Sequence, residues 1–161
     1  MIRSFVVTMM KNWPFAGALA LLSLALSFAL QGDAAAQTKR KTPVLELPAY
    51  DLPRPAAVVR KTYQFAADHP EVLRYMPCFC GCNQSGHRSN ADCFVLTRDK
   101  NGDVTAWQEH GMVCAMCLAV GETAETMYEA GASLKDIRAE VERKYSGFTT
   151  TRTPTPEPPA R

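Results

Sequence analysis

Three cysteines stand at alternate positions in Pro77-Cys78-Phe79-Cys80-Gly81-Cys82, and the remaining three follow at Cys93, Cys114 and Cys117. In an extended backbone alternate side chains point to one side, so the first three sulfurs can converge. Cys114 and Cys117 have the spacing of neighbours on one helix face. They also stand near an expected helix start, where the positive end of the dipole favours thiolate. Thiolates and thioethers select soft ions such as Cu(I), and Met76, Met112 and Met116 lie beside these cysteines in the chain. If each Cu(I) takes three sulfurs and each of six sulfurs bridges two ions, about four ions fit. One zinc would use four ligands and leave two thiols over, and the alternate spacing is tighter than that of a structural zinc pair. Zinc is therefore the second choice. The candidate ligands are Cys78, Cys80, Cys82, Cys93, Cys114 and Cys117, with His110, four residues before Cys114, at the periphery.

Two other readings of the same sulfurs stay open. An even number of cysteines in an exported chain reads as a disulfide framework, with fifteen connectivities open to six. Against it, Cys78, Cys80 and Cys82 are too crowded to close long loops without strain. Cys114-Ala115-Met116-Cys117 has the spacing of a thiol–disulfide oxidoreductase, but no alternation of strands and helices surrounds it. His87 reads as a solvated loop histidine and His69 as a surface residue. No serine–histidine–acid arrangement or phosphate loop is present, so thiol redox chemistry is the one enzymatic alternative.

The elements that must position these residues can be read in turn. A helix is expected from Pro55 to about Asp68, with Val58, Thr62, Phe65 and Ala66 on its apolar face. Asp68 then caps a second, short helix carrying Val72, Leu73 and Met76, which delivers the chain into Cys78. Asn83 to Asp92 is polar and reads as a loop. Phe94-Val95-Leu96-Thr97 and Val104-Thr105-Ala106-Trp107 flank Lys100-Asn101-Gly102-Asp103, which predicts a β-hairpin. Antiparallel pairing would bring residue 93 near residue 110. The acidic pattern Asp99, Asn101, Asp103 lacks the later glutamate of a calcium loop, so a plain turn is the better reading. A third helix is expected from Val113 to about Ala130, closed by Gly131. A fourth opens at Ser133 and carries Leu134, Ile137, Val141 and Tyr145 inward. The fold class is mainly α with one small hairpin, an α+β domain whose cysteines gather at one end.

Around that domain the chain divides into four parts. Residues 1–36 have the grammar of a secretory signal peptide: Arg3 and Lys11, an uncharged run from Phe15 to Leu30, then Ala34-Ala35-Ala36. The run is short for a membrane span, so contact with a membrane is expected only if the segment stays uncleaved. Residues 37–53 read as a Pro-rich linker, 54–146 as the cysteine-rich domain, and 147–161 as a disordered Thr/Pro tail. Cleavage removes Arg3, Lys11 and Asp33, one net positive charge out of +2. No basic stripe or interleaved aromatics mark a nucleic-acid surface. The expected location is the periplasm or the extracellular space. The expected partners are a soft metal ion and a copper-handling membrane or periplasmic protein.

The hexapeptide Pro77–Cys82 resembles the signature of the PCYCGC-motif family of bacterial exported proteins and lipoproteins, with Phe79 in place of the tyrosine. Gly86-His87 with Ser89-Asn90 before Cys93 is also similar to that family, as are Trp107, His110-Gly111 and the Cys114/Cys117 pair. The likeness spans roughly residues 54–146 and implies a domain type without naming a reaction.

Overall fold

In the computed structural model, residues 41–149 and 151–159 are described. The expected signal segment, 1–36, and the first residues of the expected linker lie outside them.

Helix α1, Ala56–Asp68, begins directly after Pro55. Its buried stripe is built on Val59, Thr62, Tyr63 and Ala66, a slight rotation from the face expected around Val58. Thr62 belongs there because its hydroxyl donates back to the Val58 carbonyl at 3.1 Å, and its methyl faces Gly121. Helix α2 is the short turn Pro70–Leu73, with Val72 and Leu73 buried. Its cap is His69 and not Asp68: the Asp68 carboxylate already accepts a bond from the Gln64 side chain, 2.8 Å away on the same helix.

The hairpin forms where expected. Strand β1, Val95–Arg98, and strand β2, Val104–Trp107, pair antiparallel with Val95 opposite Trp107. One Asp99 carboxylate oxygen accepts from the backbone N–H groups of Asn101 (2.8 Å) and Asp103 (2.9 Å). That oxygen serves the turn, as the plain-turn reading requires.

The third expected helix is interrupted. A helical turn, α3, spans His110–Val113, and α4 spans Ala115–Glu129. Between them Cys114 is extended, and its sulfur accepts from the Cys117 N–H at 3.3 Å. Cys114 is thus the cap of α4, satisfying one of the amides that a helix start leaves free. Among the described residues this gives five α-helices where about four are expected. Gly131, at φ 82°, closes α4 in the left-handed conformation that its position demands. Helix α5, Leu134–Tyr145, opens at Ser133, whose hydroxyl accepts from the Asp136 N–H. Ile137 and Val141 are buried as expected, together with Arg138.

The helices close over one core around Tyr63, Leu73, Met76, Phe94, Leu118 and Ile137. The hairpin lies along its side, so the described fold is α+β. Residues 41–53 form no helix or strand, bend at residues 49–50 and 53, and dock through buried Leu45. The Val104 N–H donates to the Lys41 carbonyl, and the Trp107 indole donates to that of Pro43.

Residues 151–159 of the expected Thr/Pro tail form no helix or strand and lie as a strap against the domain. Thr153 is buried, and Arg138 donates to the carbonyls of both Pro156 (2.9 Å) and Tyr75 (2.8 Å). Proline has its φ fixed in advance, so ordering such a segment loses little chain entropy. Composition alone did not disclose the partners waiting for it. Among the described residues, no helix is long and apolar enough to cross a membrane.

Candidate metal centre

The cysteine triplet leaves α2 as an extended segment held at its start by the Asn90 N–H, which donates to the Met76 carbonyl at 2.8 Å. The Thr153 hydroxyl accepts from the Cys78 N–H at 2.9 Å, and the Thr153 N–H donates to the Cys78 carbonyl at 3.1 Å. Both backbone groups of Cys78 are therefore satisfied by the C-terminal strap. Extended geometry does what alternation predicts: the sulfurs of Cys78 and Cys80 lie 3.5 Å apart, while Phe79 between them is buried in the core. Gly81, at φ 82°, then turns the chain so that Cys82 opens a 3₁₀ turn, Cys82–Ser85, and its sulfur turns back inward.

Cys117, in the first turn of α4, completes a triangle with this pair, 3.4 Å from Cys78 and 3.5 Å from Cys80. Cys93 ends a second 3₁₀ turn, Asn90–Cys93, fastened by a capping box between Ser89 and Asp92. Its sulfur lies 3.8 Å from that of Cys82. Cys93 sits so close to α3 because residue 111 is glycine: a Cβ there would be 2.5 Å from the Cys93 carbonyl oxygen. From α3, His110 places Nε2 3.5 Å from the Cys80 sulfur.

All six sulfurs and His110 are thus brought together, in four ligand sets whose atoms lie within 4.8 Å of one another. These are Cys80, Cys114, Cys117 and His110; Cys78, Cys93 and Cys117; Cys78, Cys80 and Cys82; and Cys82, Cys93 and His110. Any two of the first three share one sulfur. Every cysteine except Cys114 belongs to two sets, and His110 takes the place that a second use of Cys114 would fill. Cys78, Cys80 and Cys117 lie within the same limit, so the sets overlap, and a thiolate common to two of them can bridge two ions. All six thiols are free, and the shortest sulfur–sulfur approach, 3.4 Å, is far beyond the roughly 2.05 Å of a disulfide.

The protons divide unevenly. Cys78 is held down to about 4, first by the thiol of Cys117 and then by that of Cys80. Cys82 is held down to about 3 by Cys117 and Cys78, and Cys80 is driven down by Cys114 and Cys117. Cys117 is pushed up, first by Cys114 and then by the triplet sulfurs. Cys114 is pushed up to about 11: the Cys117 thiol acts to lower it, but Cys80 and burial outweigh that. Cys93 also receives a lowering contact from Cys117, yet it rises under the triplet sulfurs and its own burial. The triplet is thiolate-like and accepts from the thiols facing it.

One residue escaped the sequence reading. His87 is not a solvated loop histidine: it is 8% exposed, with Nδ1 3.5 Å from the Cys93 sulfur. Its ring lies 5.4 Å from that of His110, at nearly a right angle. The available signal was its place on a short connection between two converging cysteines, and the polar composition of the loop masked it. Met76 and Met112 are buried in the core, so they pack as well as neighbour the site.

Fold and site together define a small α+β domain whose free thiols and one histidine form a cluster able to hold metal. The family described as protein of unknown function with PCYCGC motif matches residues 25–158. The chain belongs to that family, and the match includes the Thr/Pro strap. No curated protein and no solved structure matches the chain.

Proposed function

We propose that this protein binds a soft metal ion, Cu(I), in a thiolate cluster, and that it sequesters or delivers that ion outside the cytoplasm. The observation that carries this reading is the convergence of six free sulfurs and His110 in overlapping ligand groups. Six sulfurs used in that way, with His110 at one corner, accommodate about four three-coordinate Cu(I) ions. Burial supports it as well: Cys78, Cys93 and Cys117 are wholly buried and Cys80 is half-buried. A bound ion would thus be shielded from water but reachable at one corner. Delivery calls for a copper-handling membrane or periplasmic protein that approaches this corner. Zinc remains the second choice for the thiolate sets.

The test is a Cu(I) titration of the reduced full chain, read by native mass spectrometry and by thiol counting before and after. The expected outcome is about four copper ions retained and all six thiols protected from alkylation. A preparation that titrates six free thiols and keeps no copper overturns the proposal.

A further inference from the structure

Two of the ligand sets contain His110, and in one of them, Cys82, Cys93 and His110, a second imidazole, that of His87, lies against the Cys93 sulfur. We propose that Cys82, Cys93, His87 and His110 form a tetrahedral site for a borderline divalent ion, Zn(II), leaving Cys78, Cys80, Cys114 and Cys117 as the thiolate part of the cluster. The inference rests on the reading of the cluster as a metal centre and divides that centre in two.

The distances carry it. A tetrahedral zinc with Zn–S near 2.3 Å and Zn–N near 2.0–2.1 Å separates two sulfurs by about 3.8 Å and a sulfur from a nitrogen by about 3.6 Å. Here the Cys82 and Cys93 sulfurs stand 3.8 Å apart, and His87 Nδ1 stands 3.5 Å from Cys93. The Cys78–Cys80–Cys117 triangle is tighter, at 3.4–3.5 Å on every side. Its centre is about 2.0 Å from each sulfur, so an ion with bonds near 2.3 Å must spread the triangle or sit off its plane. In the mixed group the Cys82–Cys93 and Cys93–His87 pairs already have the spacing of a tetrahedral zinc, and the His87 ring must swing inward to complete the four with His110.

Burial and charge favour the same ion. Cys82, Cys93 and His87 are all buried, and His110 is half-buried. Two thiolates and a divalent ion are neutral, whereas two thiolates and Cu(I) leave a negative charge where water is scarce. Replacing one Cu(I) by Zn(II) makes the filled cluster one unit less negative. Imidazole suits zinc, while the softer ion prefers the groups that offer sulfur alone.

The experiment loads the reduced full chain with one equivalent of Zn(II) and then three of Cu(I), desalts it, and records X-ray absorption at each metal's edge. The expected zinc shell is two sulfurs and two imidazole nitrogens, with sulfur predominating at copper. Native mass spectrometry should give one zinc and three coppers. His87→Ala should weaken zinc retention at least tenfold and leave the copper count at three. His87→Asn, with a smaller change in volume, should do the same, which separates lost ligation from a damaged fold. A zinc shell of sulfur alone, zinc lost while copper stays, or zinc retention unchanged in both variants would overturn the mixed site and leave the copper reading standing. Retention of neither metal overturns both.

Discussion

The cluster has two halves built on different principles. Cys78, Cys80 and Cys82 come from one extended loop, whereas Cys93, Cys114 and Cys117 come from a 3₁₀ turn, a helix cap and the first turn of α4. The scaffold half is fixed by packing: Gly111 lets α3 lie against Cys93, and buried Asn90 donates to the Cys117 carbonyl at 3.2 Å. The loop half is fixed by single hydrogen bonds from distant segments, with Asn90 at Met76 and Thr153 at Cys78. Charge follows the same division, thiolate-like on the loop and protonated on the scaffold. Damage to the scaffold should therefore fall on the fold, and damage to the loop on the metal.

The largest effect should come from Gly111→Ala. The added Cβ would meet the Cys93 carbonyl oxygen at 2.5 Å and the Phe94 ring at 2.7 Å, and backbone cannot yield as a flexible side chain can. A loss of about 3 kcal/mol is expected on denaturant unfolding of the reduced, metal-free chain. A loss below about 1 kcal/mol would show the scaffold to be as compliant as the loop. Thr153→Val is the counterpart on the other side. It keeps the shape of the side chain and the backbone bond to the Cys78 carbonyl, but it strands the buried Cys78 N–H. The stability cost should be about 1–2 kcal/mol. Loss of an outer partner that orients a ligand should also speed copper dissociation roughly tenfold. Unchanged dissociation, measured by transfer to a competing chelator, would mean that the strap holds the fold and not the site.

The same division explains what could be read from sequence. The triplet's convergence was legible because alternation is a local rule, and the pairing of residue 93 with residue 110 followed from hairpin register. The α4 boundary was not legible, because Cys114 had to be recognised as a cap as well as a ligand. A thiol accepting from an amide is no part of the usual capping vocabulary. His87 and the C-terminal strap were missed for one shared reason. Their order comes from contacts that no local pattern reports, with Cys93 and the His110 ring for the first and with Cys78 and Arg138 for the second. Composition reports local preference, and both segments are polar or proline-rich. Long-range hydrogen bonds override that preference without leaving a periodic trace.

The smallest signal, and the one that bears most directly on the charge division, is proton release on loading. A metal displaces the proton of each thiol that it takes as thiolate. With Cys78 held at about 4 and Cys82 at about 3, and with Cys80 also driven down, the loop half has little to give at neutral pH. Cys114, raised to about 11, should give its proton, as should the raised Cys93 and Cys117. Loading at pH 7 should thus release about three protons, and affinity should rise with pH because those thiols compete with the metal less as protons become scarce. As pH falls toward 4 the loop thiolates begin to protonate as well, the competition steepens, and metal should leave. Calorimetric titration in buffers of different ionisation enthalpy measures the release. Release of about six would mean that the loop sulfurs are ordinary thiols, and the electrostatic half of the comparison would then fall while the packing half stood.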